Sequence, residues 1–414
     1  MAIQETDLDR ELLRLSTQVA GLAARTDSRG SQKIQDFLIK TQQSLESPWE
    51  TLMRYYDLDF QHVAIRIGCD MQVFTTLTTA DKPMTLQDIA KVNGVSERLL
   101  GTLLSLSWLF VTANVCAGRV LRYLASINTI EEVGQDTFEA NHITRTLSQP
   151  GIEGGVRLSS SCQRPTNSAL PDLLVKRGFQ DITSATETAF NKAWASKEPF
   201  FTWVRSQPEI FEYLRLALDV QFREDWLNAF PLESHLGDFA SRADPEKVLF
   251  VDVGGNLGIQ CRGLKEKFPH LSGRIILEDL QETIDVIPAL EGVETLAQDY
   301  LTEQKVKGAK FYYYRNILHD NPDYRCRLIL DGLKPAMGED SRLLIDDKVL
   351  LNQGSHRHVT MLDLAMMAQV ASHERTRAQW QALLEGAGWE IEEIFQYSHE
   401  YDSIIVAKPV SQKA

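Results

Sequence analysis

From Lys247 onward the chain alternates short apolar runs with amphipathic helical stretches. Strands are expected at 248–253, 274–277, 294–297, 310–315, 342–345, 390–395 and 403–407. Helices between most of them predict a mainly parallel sheet covered on both faces, an α/β fold. No clear helix separates the last two runs, which predicts a reversed final strand.

The first run leads directly into Val251-Asp252-Val253-Gly254-Gly255-Asn256-Leu257-Gly258. A strand, a glycine turn and a helix start follow one another there. Glycines at such a turn let the backbone approach a ligand closely. The next strand ends in Leu277-Glu278-Asp279-Leu280, and a carboxylate from Glu278 or Asp279 suits two ribose hydroxyls. A solvated strand-end acid is the alternative. No Gly-x-x-x-x-Gly-Lys-Ser/Thr motif occurs, so phosphate-cradling ATP chemistry is not expected.

A second motif, Tyr314-Arg315-Asn316-Ile317-Leu318-His319-Asp320, puts a His-Asp pair just past another buried strand. That sheet edge is where ligands bind in open α/β folds. An imidazole of ordinary pKa takes a proton from a phenol or enol at neutral pH. A structural histidine is the bland alternative. Asp347 and Glu374 would orient His319 and stabilise its charged form if both reach it. His356 and His358 read as a solvated loop, with no third ligand at suitable spacing, so no metal is expected.

The N-terminal half is less explicit. Residues from about 7 to 60 show helical spacing, with Leu12, Leu13, Leu15, Val19 and Leu22 on one face. Thr85 and Ser96 suit the caps of two short helices around Asn93-Gly94, a helix-turn-helix pattern. The formal net charge of -14 argues against a phosphate-backbone partner, so this pattern is read as a packing or dimer module without nucleic acid. Residues 130–140 read as a hairpin with Gly134 at its turn. Residues from about 150 to 235 are helical and aromatic, mostly core, with a minority lining an apolar pocket.

Leu99–Gly118 carries no charge and has the length of a membrane span. It also contains Ser, Thr and Asn and interrupts a soluble motif, so no span is expected. Removing Thr102–Gly118 would join Gly101 to Arg119 in one amphipathic helix, which makes a retained short intron a second reading. A buried helix is the third. Five scattered cysteines without a CxxC pair fit a reducing compartment. The acidic N-terminus lacks signal-peptide order, and a cytoplasmic protein is expected.

Several stretches together resemble one family: 251–255, Phe268-Pro269-His270-Leu271-Ser272-Gly273-Arg274, 277–280, Gly308-Ala309-Lys310, 315–320 and Glu374-Arg375-Thr376. They are similar to class I S-adenosylmethionine-dependent O-methyltransferases of the plant-caffeate type, in their fungal secondary-metabolism branch. The resemblance runs from about Tyr55 to Pro409. It implies a mainly helical winged-helix dimerisation domain at 1–150, a helical connector lining the substrate pocket at 151–240, and a Rossmann-like cofactor domain at 241–414. It implies a homodimer, S-adenosyl-L-methionine as cofactor, and a small secondary metabolite with a phenolic or enolic hydroxyl as acceptor. It makes His319 the general base, flanked by Asp347 and Glu374. Gly254, Asp279 and Asp299 would hold the methionine, ribose and adenine ends of the cofactor. Asp252, Gly255, Leu280, Tyr300 and Arg315 would complete that site.

Five positions depart from the family pattern. Asn256 and Leu257 replace a glycine and a small residue, Asn321 replaces a tryptophan, Gln298 a histidine, and Lys348 an apolar residue. Some fungal members steer dehydration and pericyclic ring closure instead of methyl transfer. Lys348, if it faced the pocket, would polarise a carbonyl there. A pericyclase is therefore the alternative function, and a non-catalytic partner the third.

Overall fold

The structure is a computed structural model that describes residues 5–92, 118–221, 226–237, 239, 245–398 and 401–410. It forms two compact units, Met1–Gln149 and Pro150–Ala414. Ser96 and residues 102–117 lie outside the described residues, and so do the readings that fall on them.

The first unit opens with the helices Glu5–Ala23, Ser28–Leu45, Pro48–Asp70 and Val73–Thr79. A reciprocal capping box of Ser47 and Glu50, with Pro48 at the first turn, fixes the start of the third. A small antiparallel sheet follows, with strands β1 (Met84–Thr85), β2 (Glu131–Gly134) and β3 (Thr137–Glu139) in the order β1-β3-β2. Thr85 does cap the helix Leu86–Val92, since Asp88 N donates to Thr85 Oγ1 at 3.2 Å. Gly134 is not the hairpin turn. It pairs with Thr137 at the end of β2, and the turn is Gln135-Asp136, with Asp136 at φ 47°. Aspartate tolerates that left-handed conformation better than most residues. Leu12, Leu13, Leu15 and Leu22 are all exposed in this unit.

The second unit is built on a sheet of β4 (Val248–Val253), β5 (Arg274–Asp279), β6 (Glu294–Ala297), β7 (Phe311–Arg315), β8 (Arg342–Leu350), β10 (Trp389–Gln396) and β11 (Asp402–Pro409). Their order is β10-β11-β8-β7-β4-β5-β6. Strands β4 to β8 pair in parallel, and β11 runs antiparallel to both neighbours. The expected reversed last strand is therefore present. A two-residue strand, β9 (Arg375–Thr376), also pairs with β8 and was not expected.

Parallel strands covered on both faces must be apolar on both. Val251, Tyr312, Tyr314 and Ile345 pack against Ile329, Leu330, Trp380 and Leu384 on one face. Phe250, Tyr313, Leu344 and Ile404 pack against Trp226, Phe230 and Leu264 on the other. Within the same unit, Leu158, Cys162, Phe190, Phe200, Val204 and Val370 form a separate cluster among the helices that follow Pro150. Among the described residues no helix is long and apolar enough to cross a membrane, and no His/Cys/Asp/Glu group could hold a metal.

Candidate active site

The C-terminal ends of β4, β5 and β7 border a cavity of about 620 Å³. Gly254, Asp279, Leu280, Asp299, Tyr300 and Arg315 all line it. The turn after β4 is held by its own backbone: Gly254 N and Gly255 N both donate to Glu278 O, at 2.7 and 3.1 Å. Gly254 lies at φ 67° and Asn256 at φ 49°. A Cβ on Gly255 would fall 2.3 Å from Leu277 Cδ1 and 2.5 Å from Asp252 Cγ, so no side chain fits there. Asn256 keeps the left-handed conformation that a glycine would otherwise supply.

The strand-end acid facing the cavity is Asp279. Its Oδ2 accepts Asn256 N at 2.9 Å and its Oδ1 accepts Leu280 N at 2.8 Å. A carboxylate has about four acceptor sites, so lone pairs remain for a ligand. Glu278 points the other way. It is fully buried, accepts Gln304 Nε2 at 2.8 Å, and burial pushes its carboxyl up to about 7. Asp252 and Gly255 do not line the cavity. Asp252 lies beneath the turn, where burial raises its carboxyl to about 7 and Cys261 Sγ approaches at 3.5 Å.

Two of the departures have local structural roles. Gln298 Nε2 donates to Asp299 O, Thr302 Oγ1 and Glu303 O at 3.0, 3.1 and 3.2 Å, which pins the loop carrying Asp299 and Tyr300. Asn321 Nδ2 donates to Ile317 O at 2.7 Å and closes the loop after β7. Arg315 Nη1 stands 3.3 Å from Asp346 Oδ2, and Tyr313 and Tyr397 also donate to that carboxylate.

His319 sits in the loop after β7, 7% exposed. Its Nδ1 is 2.8 Å from Glu374 Oε1, and its Nε2 is 3.5 Å from Asp320 Oδ1. The Nδ1 contact is a hydrogen bond when Nδ1 donates to the glutamate oxygen. Burial disfavours the imidazolium, but Asp320, Glu374 and Asp347 together outweigh it and push the ring up to about 10. Asp347 is buried, neither of its oxygens has a hydrogen-bond partner, and burial raises it to about 8. Glu374 thus reaches His319 directly, whereas Asp347 makes no hydrogen bond to it and acts on it through its charge. All three lie behind the cavity wall rather than on it, and the neighbouring Asp320 does line the cavity. Burial raises Asp320 to about 6.

Lys348 is a correction. Strand β8 runs past Ile345 to Leu350, and alternation puts Lys348 on the opposite face from Asp347. Its Nζ is 2.7 Å from Asp402 Oδ1, and it does not line the cavity. The apolar wall comes instead from Phe200, Phe201, Phe211, Leu214 and Val370. Its three phenylalanines are the minority of connector aromatics expected to line a pocket. Arg205 and Arg325 line the cavity too, and no sequence signal marked them.

A sequence profile of the O-methyltransferase domain matches residues 245–390. The chain is 88% identical over 414 residues to 16-O-methyltransferase bsc6 of Alternaria brassicicola, covering 100% of both chains. With both chains covered in full, that relative shows no shortfall in length opposite residues 102–118. A solved structure described as a pericyclic reaction enzyme superposes with a TM-score of 0.88 at 33% identity, over 97% of this chain and 100% of that one. The structure of LepI in complex with S-adenosylmethionine superposes equally well, with a TM-score of 0.88 at 32% identity and the same coverage.

Proposed function

Because this chain belongs to the O-methyltransferase family, we propose that it methylates a phenolic or enolic hydroxyl of an apolar secondary metabolite, with S-adenosylmethionine as donor. The observation that carries this reading is a single junction. Asp320 lines the same cavity as Gly254 and Asp279, and the residue before it is a histidine already paired with a buried glutamate.

The residues fit the cofactor. Gly254 offers a backbone edge without a side chain, and Asp279 keeps free lone pairs toward the cavity. Gly254 would hold the methionine end, Asp279 the ribose hydroxyls, and Leu280, Asp299 and Tyr300 the adenine end. Arg315 borders the same space, and Asp252 and Gly255 support the turn from beneath. When bound, S-adenosylmethionine supplies an electrophilic methyl on a cationic sulfonium. Glu374 keeps the Nδ1 proton in place, which leaves Nε2 to take the acceptor's proton. His319, held at about 10 by its acidic neighbours, would be lowered toward neutrality by the cofactor's positive charge and so readied as a base. The phenylalanine wall suits an apolar acceptor and limits water.

His319→Ala should lower methyl transfer by about 10²–10⁴-fold while binding of S-adenosylhomocysteine persists. Unchanged turnover would remove His319 from the mechanism. The reaction itself is read from the metabolite that accumulates when the gene is deleted in its host. A compound lighter than the product by one CH2 supports methylation.

One observation favours the second reading, a pericyclase. An imidazole held at about 10 by three carboxylates is a proton donor at neutral pH, which suits dehydration. An accumulating isomer, or a compound differing only by water, would establish it. The pH profile separates the two: a base gains activity as pH rises, and an acid loses it.

The exposed apolar residues of the first unit, Leu12, Leu13, Leu15, Leu22, Phe37 and Trp49 among them, support a homodimer through a winged-helix-type module. Sedimentation at single-chain mass in the micromolar range would remove that reading. The four described cysteines are buried thiols, which suits the cytoplasm.

A further inference from the structure

Glu374 and Arg375 are adjacent in sequence and act on the same loop. Glu374 holds the His319 ring, and Arg375 holds the backbone around it. The Arg375 side chain is fully buried. Its Nη1 donates to Leu318 O at 2.9 Å and its Nη2 to Asn321 O at 3.1 Å. Asp323 Oδ1 accepts from Nη2 at 2.7 Å and from Nε at 3.1 Å. Weaker donors share the same carbonyls. Cys326 Sγ lies 3.2 Å from Leu318 O, and Ser372 Oγ lies 2.8 Å from Asn321 O. The guanidinium rests over Trp380 at 5.2 Å, and Trp380 Nε1 donates to Lys348 O at 2.9 Å. That last bond ties the platform to β8, the strand that carries Asp347.

The Leu318 carbonyl and the His319 nitrogen share one peptide plane. Fixing that oxygen therefore fixes the axis from which the His319 side chain departs. A buried permanent charge is costly unless fully partnered, and here every oxygen partner lies in the segment 318–323, with Cys326 Sγ 3.6 Å from Nη2 just beyond it. We infer that Arg375 is the positioning residue for His319: its planar fork sets the loop so that the imidazole meets Glu374. Arg375 does not line the cavity, so it acts through His319. The inference rests on His319 handling the proton in the proposed function. A lysine cannot replace the fork, because one ammonium does not span three acceptors arranged in a plane.

The test uses the full-length enzyme with Arg375→Lys and, independently, Asp323→Asn. Asp323 keeps 46% side-chain exposure, so the second change leaves the core untouched. Three quantities are measured: S-adenosylhomocysteine affinity by calorimetry, kcat and KM with the metabolite that accumulates on gene deletion, and the His319 titration by imidazole ¹⁵N NMR. His319→Gln assigns the signal. The groups facing that ring are Asp320, Asp347 and Glu374.

Arg375→Lys should lower kcat about a hundredfold, the effect of a displacement near 1 Å, with affinity and KM within twofold and a moved imidazole titration. Asp323→Asn should move the same quantities in the same direction by less. A kcat within threefold of wild type and an unmoved titration overturn the inference. So does a loss of S-adenosylhomocysteine affinity that parallels the loss of kcat, which marks general destabilisation. If Arg375→Lys does not fold, Asp323→Asn decides by the same criteria. The titration needs no turnover. A His319→Ala enzyme as active as wild type sinks the base reading, while a moved titration still supports positioning.

Discussion

Both oxygens of Asp279 already hold a backbone amide, from Asn256 and from Leu280. One carboxylate thus fixes the glycine turn and keeps lone pairs toward the cavity. Asp279→Ala should weaken cofactor affinity by on the order of 1.5–3 kcal/mol, the range for hydrogen bonds to a charged group. Calorimetry with S-adenosylhomocysteine checks this, and an unaltered affinity would place the cofactor elsewhere. At this scale much of the site was legible. His319 and Asp279 stand at strand ends, where an α/β sheet presents its chemistry. Arg375 was not legible as a site residue, because its work is done on backbone carbonyls more than fifty residues away and carries no side-chain pattern. The direction of Lys348 was equally hidden, since it depends on how far its strand continues.

That strand shows what limits reading at the scale of elements. Strands buried on both faces announce themselves as apolar runs, and β4 through β7 were found within a few residues of their bounds. Past Ile345 the sequence turns polar at Asp346-Asp347-Lys348, yet β8 continues. Partners distant in sequence make this possible. Tyr313, Tyr397 and Arg315 satisfy Asp346, and Asp402 satisfies Lys348. The turn after β4 is the opposite case, where glycines mark the geometry in the sequence and the end of β5 then holds it. Gly255→Ala should cost about 1–3 kcal/mol by overpacking against Leu277 and Asp252, and should weaken the cofactor site beside it. A melting temperature equal to wild type would show that the turn has more room than this packing allows.

For the molecule as a whole, buried ionisable groups set the pH response. Burial raises Asp252 and Glu278 to about 7 and Asp347 to about 8. Between pH 4 and 8 the unfolded chain releases these protons while the native chain retains them, so stability falls as pH rises. His319 acts in the same direction. Its folded value of about 10 exceeds the unfolded one, so its contribution is complete below about 6.5 and lost through about 10. The melting temperature should therefore decline from pH 5 to pH 9. Glu278→Gln should stabilise by on the order of 2–3 kcal/mol at pH 8 and by only a fraction of that at pH 5. Equal effects at both values would assign the gain to packing instead.

The reversed strand β11 has a consequence for biosynthesis. It lies between β10 and β8, yet it is translated after both. Until the ribosome has passed residue 409, the open edge of β8 has no partner, and nascent chains expose it to one another. Asp347 lies opposite Ser403 in that last pairing. A premature stop near residue 400 would thus leave nearly every site residue encoded, but with the sheet unclosed behind them.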